Sequence, residues 1–395
     1  MKILHIITRL IQGGAQHDTI MKCAALVKAG HEVWLAHGPI YGPEGSLRDE
    51  ALASGATLVQ IDPMRRAILP VHDVATGLAL RKLIRRVRPD IVHTHSSKAG
   101  IVGRAAAWHC RVGAVVHTIH GLPFHERQNR LVHRMYVGAE RWAAKRCHRM
   151  IGITQAMCDA FAQHGIGRPE QFEVVPDGVD ISRFTPSPDA RGRIRSEFGI
   201  PIDAPLIGLV ARLDPLKGHD DLIVCLHRLR QTHDDVRVIF VGDGWDRRRL
   251  DQNVRREGQH DRVIFTGLLS QDRVGDMMNA LDVMALPSYQ EGQGLVLVEA
   301  LLCGCPIVAY DVGGIGEACI DGKTGRLVPM GDRDALLDAL RWMLDHPDER
   351  GQLARHGSEY VRERFDQSIL VKKLHRVYEG VLRRDNASQD TATRQ

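Results

Sequence analysis

Two carboxylates, Glu291 and Glu299, bracket the run Gly292-Gln293-Gly294-Leu295-Val296-Leu297-Val298, and a strand's length later the chain reads Asp311-Val312-Gly313-Gly314-Ile315-Gly316-Glu317. Glycines admit close approach of backbone to a ligand, a helix N-terminus offers unpaired N–H groups to phosphate, and carboxylates accept from ribose or sugar hydroxyls. Together they read as a nucleotide-sugar pocket. A lone Glu at this spacing is ordinarily a solvated helix residue. Here the helix from Leu295 to Leu302 is apolar nearly all round, which implies burial, and a Glu within it must be paired, capped or functional.

Three further loops carry chemistry. Ala211-Arg212-Leu213-Asp214-Pro215-Leu216-Lys217-Gly218-His219 puts Arg212 and Lys217 on one segment, two fixed cations able to neutralise a diphosphate. Gln12-Gly13-Gly14-Ala15-Gln16 follows an apolar strand and opens a helix, so its N–H groups can approach phosphate or sugar. It lacks the G-x-G-x-x-G spacing and the acidic ribose partner of a dinucleotide site. Ile119-His120-Gly121 places His120 at a strand end, where a cleft-facing histidine and a structural one are about evenly balanced. His93 is expected to point into the sheet layer, and His95 with Lys98 to line the cleft.

The elements that position these loops alternate. Ile3–Ile7, Glu32–Ala36, 91–93, Ala114–Thr118 and 150–153 read as strands separated by helical patterns, and a second series follows at Leu206–Val210, Arg237–Val241, 262–266, Val283–Leu286 and 306–309. The fold class is α/β, with two doubly wound, Rossmann-like domains facing across a cleft. The expected organisation is an acceptor-binding domain at 1–175, a Pro, Gly and Asp-rich linker at 176–186, and a nucleotide-sugar-binding domain at 187–365. An amphipathic helix at 366–384 is expected to pack back on the first domain, ahead of a disordered tail at 385–395.

The chain has 395 residues, 44% hydrophobic and 26% charged, enough for two cores. Aromatics at 5% supply base-stacking surfaces poorly, so nucleic acid is set aside. The eight cysteines show no zinc spacing, and the short apolar N-terminal run leads directly into a glycine loop, so the thiols read as reduced and the location as cytoplasmic. Residues 1–170 carry 23 Lys and Arg against 12 Asp and Glu, whereas the remainder carries 30 against 36. The sharpest basic patch is Arg127, Arg130, Arg134, Arg141, Lys145 and Arg149, within about 100° of one helical face and bordered by Leu131, Met135 and Trp142. It suits an anionic membrane surface or a phosphate-bearing lipid acceptor. The competing reading is a solvated face on a helix packed through Val132, Tyr136, Ala139 and Ala143.

Taken together the motifs resemble retaining GT-B glycosyltransferases, specifically glycosyltransferase family 4 (glycosyl transferases group 1). The resemblance runs from Gly13-Gly14 through His93–Gly100 and His117–Gly121, Val175–Asp180, Arg212 to Lys217, Val241–Gly244 and the Glu291/Glu299 pair to Glu317. It implies a nucleoside diphosphate sugar donor, UDP- or GDP-linked, with Glu299 on the ribose and Arg212 and Lys217 on the diphosphate. Glu291 and Gly292, Gly294 and Leu295 would meet the sugar and phosphate, and Gly242 to Gly244 would lie near the base. Gly14 would sit by the β-phosphate, with Gly13 beside it, and His120 would be the acceptor-domain histidine near the transferred sugar.

The 93–121 region is similar to members that build bacterial capsule, exopolysaccharide or lipid-linked glycans, implying a glycan or polyprenyl-diphosphate-linked acceptor and a peripheral place on the inner face of the cell membrane. The family generally works without a metal, and no convincing Asp-x-Asp metal motif is visible, so neither metal nor cofactor is expected. Gln293 stands where members often carry an aromatic residue. A nucleotide-sugar epimerase of the same fold and a non-catalytic sugar-nucleotide-binding subunit are the alternatives.

Overall fold

The structure is a computed structural model describing residues 1–42, 45–124 and 128–392, with side chains to 383. It divides into two compact units, Met1–Asp177 with Gln367–Gln395, and Gly178–Asp366. The chain therefore leaves the first unit at Asp177, inside the Val175–Asp180 turn cluster, and re-enters it through the final helix.

The first unit holds β1 (Lys2–Ile7), β2 (Glu32–His37), β3 (Thr57–Gln60), β4 (Ile91–His95), β5 (Ala114–Ile119), β6 (Arg149–Gly152) and β7 (Phe172–Val174). They form one parallel sheet in the order β3-β2-β1-β4-β5-β6-β7. The second unit holds β8 (Leu206–Val210), β9 (Arg237–Val241), β10 (Val263–Gly267), β11 (Val283–Leu286), β12 (Ile307–Asp311) and β13 (Arg326–Pro329), parallel in the order β10-β9-β8-β11-β12-β13. In each sheet the order reverses next to the first strand, at β1/β4 and β8/β11, where the loops after the strand C-termini open a ligand crevice.

Each expected strand is present. Three were not foreseen: β3, β7 and β13. All are sheet edges three or four residues long, half-exposed, and so lack the continuous apolar run of a buried parallel strand.

The helix that opens at Gln367 continues to Ala392, beyond the end expected at 384 and into the segment expected to be disordered; residues 393–395 lie outside the described residues. Its Leu370, Leu374, Val377, Tyr378 and Val381 are buried in the core cluster formed by Ile3, Ile7, Ile91, Val116 and Leu26. The helix is thus part of the wall over β1, β4 and β5. Leu374→Ala, at a site with no exposed surface, should destabilise the protein by about 2–5 kcal/mol, read as a lower melting temperature by calorimetry.

Candidate active site

In the second unit the loops following β8, β9, β11 and β12 are tied to one another by backbone hydrogen bonds. Leu213 N–H donates to the Asp243 carbonyl at 3.1 Å, Tyr289 N–H to Leu216 at 2.8 Å, and Gly314 N–H to Gly292 at 2.9 Å. Gly313 has φ +60°, and a Cβ there would lie 2.1 Å from the Glu291 carbonyl oxygen, so only glycine lets the two glycine segments touch. Gly218 (φ +73°) is under the same constraint, 1.9 Å from the Pro287 oxygen. Gly242 and Gly244 sit against the backbone of Ala211 and Leu213. The expected donor-side residues are therefore assembled on one rigid set of loops.

Lys217 Nζ lies 2.6 Å from Glu291 Oε2, both partly buried. Arg212 pairs with Asp214 at 2.9 Å, and Asp214 also accepts from Leu216 N–H, which fixes the cationic loop. The helix Leu295–Leu302 starts at Gly294 in the left-handed region (φ +72°), exposing its first N–H groups beside that ion pair. Glu299 is half-buried on this helix, and its carboxyl has no hydrogen bond or ion pair among the described residues. Burial pushes its carboxyl up to about 7, against the opposing pull of the Arg183 charge. Of the three fates open to a Glu in an apolar helix, pairing and capping are unused. Gln293 is buried beneath the loop, 2% exposed, so it supports the helix entry from below. His219, missed in the sequence, is buried behind the Lys217 loop with neither ring nitrogen hydrogen-bonded, and burial lowers it to about 4.

The first unit places titratable groups inside the sheet itself. His5 and His93 are register partners on β1 and β4, and His95 follows two residues on, pointing to the same face. His5 Nδ1 is 2.9 Å from His95 Nε2, and His95 Nδ1 is 3.0 Å from His120 Nε2. Ring centroids are 5.2 and 5.3 Å apart, so the imidazoles meet nitrogen to nitrogen in a line. His120 Nδ1 then meets Asp177 Oδ2 at 3.0 Å. Lys22 Nζ, almost wholly buried, lies 2.5 Å from Asp18 and 3.3 Å from Asp177. His93 is held by Tyr378 Oη (2.6 Å) and Thr118 Oγ1 (2.7 Å).

A carboxylate can only accept, so His120 Nδ1 donates to Asp177. With one proton per ring, His95 Nδ1 donates to His120 Nε2 and His5 Nδ1 to His95 Nε2. The chain ends on a bare lone pair at His5 Nε2, which has no partner. Burial first, then the Lys22 charge, lowers His5 to about 3; burial and the neighbouring rings likewise hold His93 and His95 well down. Burial and the Asp177 charge raise Asp18. Burial alone would raise Asp177 too, but the His120 ring that donates to it and the Lys22 ammonium override it and keep that carboxyl low.

This geometry revises the expectation for two residues. His95 has no exposed surface and belongs to the buried chain, while Lys98 is held by Asp73 at 2.5 Å. His120 presents neither ring nitrogen outward, because both are engaged within the unit. Gly13 and Gly14 do open the helix Gly14–Lys28 after β1, as expected.

Among the described residues two groups could hold a metal ion: His5, His93 and His95, and Asp18, His120 and Asp177. In the first the nitrogens are engaged with one another or with hydroxyls, except His5 Nε2. In the second the Lys22 ammonium already supplies a cation. Asp18, Lys22, His5 and Asp177 escaped the sequence reading, although histidines in strands otherwise apolar were a signal.

On the helix Arg130–Ala144, Arg130, Arg134 and Arg141 are exposed together with Leu131, Met135 and Trp142, and Ala143 packs inward. Arg127 lies outside the described residues. The helix is anchored by the fully buried pair Arg104–Glu140 at 2.6 Å.

Four buried imidazoles of this unit, His5, His93, His95 and His117, are held neutral by burial. Their folded pKa values lie below the unfolded value near 6.5, so below that pH the unfolded chain binds more protons and stability falls as pH falls. Asp18, raised in the fold, opposes this. The lowered histidines outnumber it, so the net effect is a loss of stability as pH falls below 6.5. Melting temperature should drop steeply from pH 7 to 5, and His93→Gln should flatten that slope; equal slopes would contradict the neutral histidine core.

Two family models match consecutive parts of the chain, Glycosyltransferase Family 4 over residues 12–183 and Glycosyl transferases group 1 over residues 190–360. A D-inositol 3-phosphate glycosyltransferase of Acidothermus cellulolyticus is 31% identical over 370 residues, covering 87% of this chain and 81% of that protein. A UDP-Gal:alpha-D-GlcNAc-diphosphoundecaprenol alpha-1,3-galactosyltransferase of Escherichia coli is 28% identical over 343 residues, covering 86% and 87%. The crystal structure of Anabaena Alr3699/HepE in complex with UDP-glucose superposes with a TM-score of 0.83 at 24% identity, covering 96% of this chain and 100% of that one. With its two parallel-sheet units and these matches, the chain belongs to the glycosyltransferase family 4 (glycosyl transferases group 1) enzymes of the GT-B fold.

Proposed function

We propose that the protein transfers a sugar from a nucleoside diphosphate sugar to a glycan or lipid-linked acceptor, with retention of anomeric configuration and without a metal, in the assembly of a bacterial surface polysaccharide. The observation that carries the donor side is Glu299, a half-buried carboxyl with no side-chain hydrogen bond or ion pair among the described residues, on the helix that opens beside Glu291 of the Lys217–Glu291 pair. A ribose diol donating to Glu299 would satisfy a group that the fold leaves unmatched. The diphosphate would lie on Arg212, Lys217 and the N–H groups that begin at Leu295. As phosphate draws Lys217 away, Glu291 is released to accept from the sugar hydroxyls.

In the chemical step the C1–O bond to the β-phosphate breaks, charge gathers on the departing phosphate beside Arg212 and Lys217, and the acceptor oxygen bonds to C1 on the same face. The departing phosphate takes the acceptor hydroxyl's proton, so no strong protein base is needed. The inward hydrogen bonds of His120 fit that assignment, since its ring holds position rather than moving protons. A relative that acts on a diphosphoundecaprenol-linked sugar supports the lipid-linked acceptor. No helix among the described residues is long and apolar enough to cross a membrane, and contact with a bilayer would be peripheral, through the exposed Arg130–Arg141 face.

Donor binding is tested by thermal shift with UDP, GDP and UDP-glucose in metal-free buffer. A nucleotide at about 100 times its Kd should add roughly 2.7 kcal/mol to the native state, and Glu299→Ala should abolish the shift. With UDP-glucose, affinity should strengthen as pH rises through about 7, because the ionised Glu299 is the better acceptor. Lys217→Ala should lower kcat by roughly 10²–10³-fold, with retention checked by NMR of the product; a reducing sugar epimer as product would mark the epimerase instead.

Membrane contact is tested by co-sedimentation with phosphatidylglycerol vesicles. Arg130→Glu/Arg134→Glu/Arg141→Glu should release the protein, and unaltered binding would sink the peripheral assignment.

A further inference from the structure

The first unit has a large cavity, about 870 Å³, at the end of its sheet remote from the loops described above. Its walls come from the start of β6, the segment leading into β7, and the C-terminal end of the helix Ser97–His109. In a parallel sheet these are the N-terminal ends of the strands, whereas His120, Asp177 and Gly13 follow the C-terminal ends. The two sets lie about one strand apart, roughly 15–20 Å.

The lining includes Arg141, Lys145, Arg149 and Arg168, a formal charge of +4, and no carboxylate. Among the described residues Arg141 donates to the His164 carbonyl at 2.7 Å and faces no acidic group. The carboxylate recorded nearby, Glu170, meets Arg168 at 2.8 Å with both side chains largely exposed, a pairing that neutralises little in water. Trp108, 44% exposed, offers a ring held against His148, with centroids 5.4 Å apart. The loop of Gly165 and Gly167, both at positive φ, lets backbone pass close to the Arg141 guanidinium.

Four basic side chains line this concave space and no acidic side chain does, which gives it a positive local potential. The volume falls in the range of small-molecule sites and exceeds what a single phosphate fills. Guanidinium groups grip phosphate oxygens two at a time, Lys145 adds a point charge, and Trp108 supplies an apolar face.

We propose that this cavity is a second anion site, which takes a diphosphate-bearing ligand. It is separate from the donor pocket and stands independently of the donor reading. Its diphosphate comes either from a soluble nucleotide or from a lipid whose headgroup reaches the cavity along the exposed side of the helix Arg130–Ala144.

The test is titration of the full chain with inorganic pyrophosphate by calorimetry, in a Lys217→Ala background that disables the donor-side cation. Binding should persist in that background, weaken with added salt, and fall at least tenfold in Arg149→Glu/Arg168→Glu while Arg149→Lys/Arg168→Lys keeps most of it. Loss of all pyrophosphate binding in Lys217→Ala alone, or equal affinity in the Glu double variant with unchanged circular dichroism, would overturn the proposal. Failure of the donor reading would appear separately, as UDP binding that ignores Glu299→Ala. Co-sedimentation with phosphatidylcholine vesicles carrying a polyprenyl diphosphate separates the sources. Vesicle binding lost along with pyrophosphate in the Glu double variant assigns the site to a lipid headgroup, and vesicle binding retained while pyrophosphate is lost assigns it to a soluble ligand.

Discussion

A buried ammonium organises the first unit. Lys22 projects from the helix Gly14–Lys28 into the sheet and is almost wholly removed from water, which would be prohibitive without Asp18 and Asp177 on either side. Burial alone would drag its pKa down, and the two carboxylates more than reverse that. Asp177 is the last residue of the unit's first segment, so the point where the chain departs is fixed by the same charge that fixes the helix. Asp177 in turn determines which nitrogen of His120 carries the proton. That choice propagates through His95 to His5, two further residues with no choice of tautomer.

The second unit solves a different problem. Its two core clusters are apolar, and the polar groups that matter sit in loops beyond the strands. Those loops are kept rigid by close backbone approaches that only glycine permits, at Gly218 and Gly313. Lys217 and Glu291 satisfy each other, so neither is left with an uncompensated charge. Glu299 has no such arrangement, and its carboxyl is shifted toward neutrality instead.

The sequence disclosed the loops better than the interior. The loop positions of Glu291, Arg212 and Lys217 were legible because glycine, proline and charge cluster where a chain turns, and the alternation of apolar runs with helical periods announced two parallel sheets. The edge strands β3, β7 and β13 were invisible because a half-exposed three- or four-residue strand lacks a continuous apolar run. Asp18 and Lys22 were hidden for a different reason. An i,i+4 acid and base on a helix look like a solvated pair, and only tertiary packing puts them inside. His95 misled because its place at the end of β4 suggested an open loop, while the register of β1 against β4 stacks it on His5 and His93.

The contrast between the units bears on what each can do. A pocket made from loops can exchange one ion pair for another when phosphate arrives, because its groups retain partial contact with water. A polar chain woven through strands cannot: breaking the bond from His120 to Asp177 would leave the Nδ1–H of the imidazole unmatched and take from the Asp177 carboxylate one of its two partners, at a cost of a few kcal/mol for each buried group. The His120 ring is therefore held by its environment more firmly than a catalytic base that must take up and release protons in each turnover. What it gives the β5 loop and the backbone of Gly121 is position, and the freedom to adapt lies in the loops of the second unit.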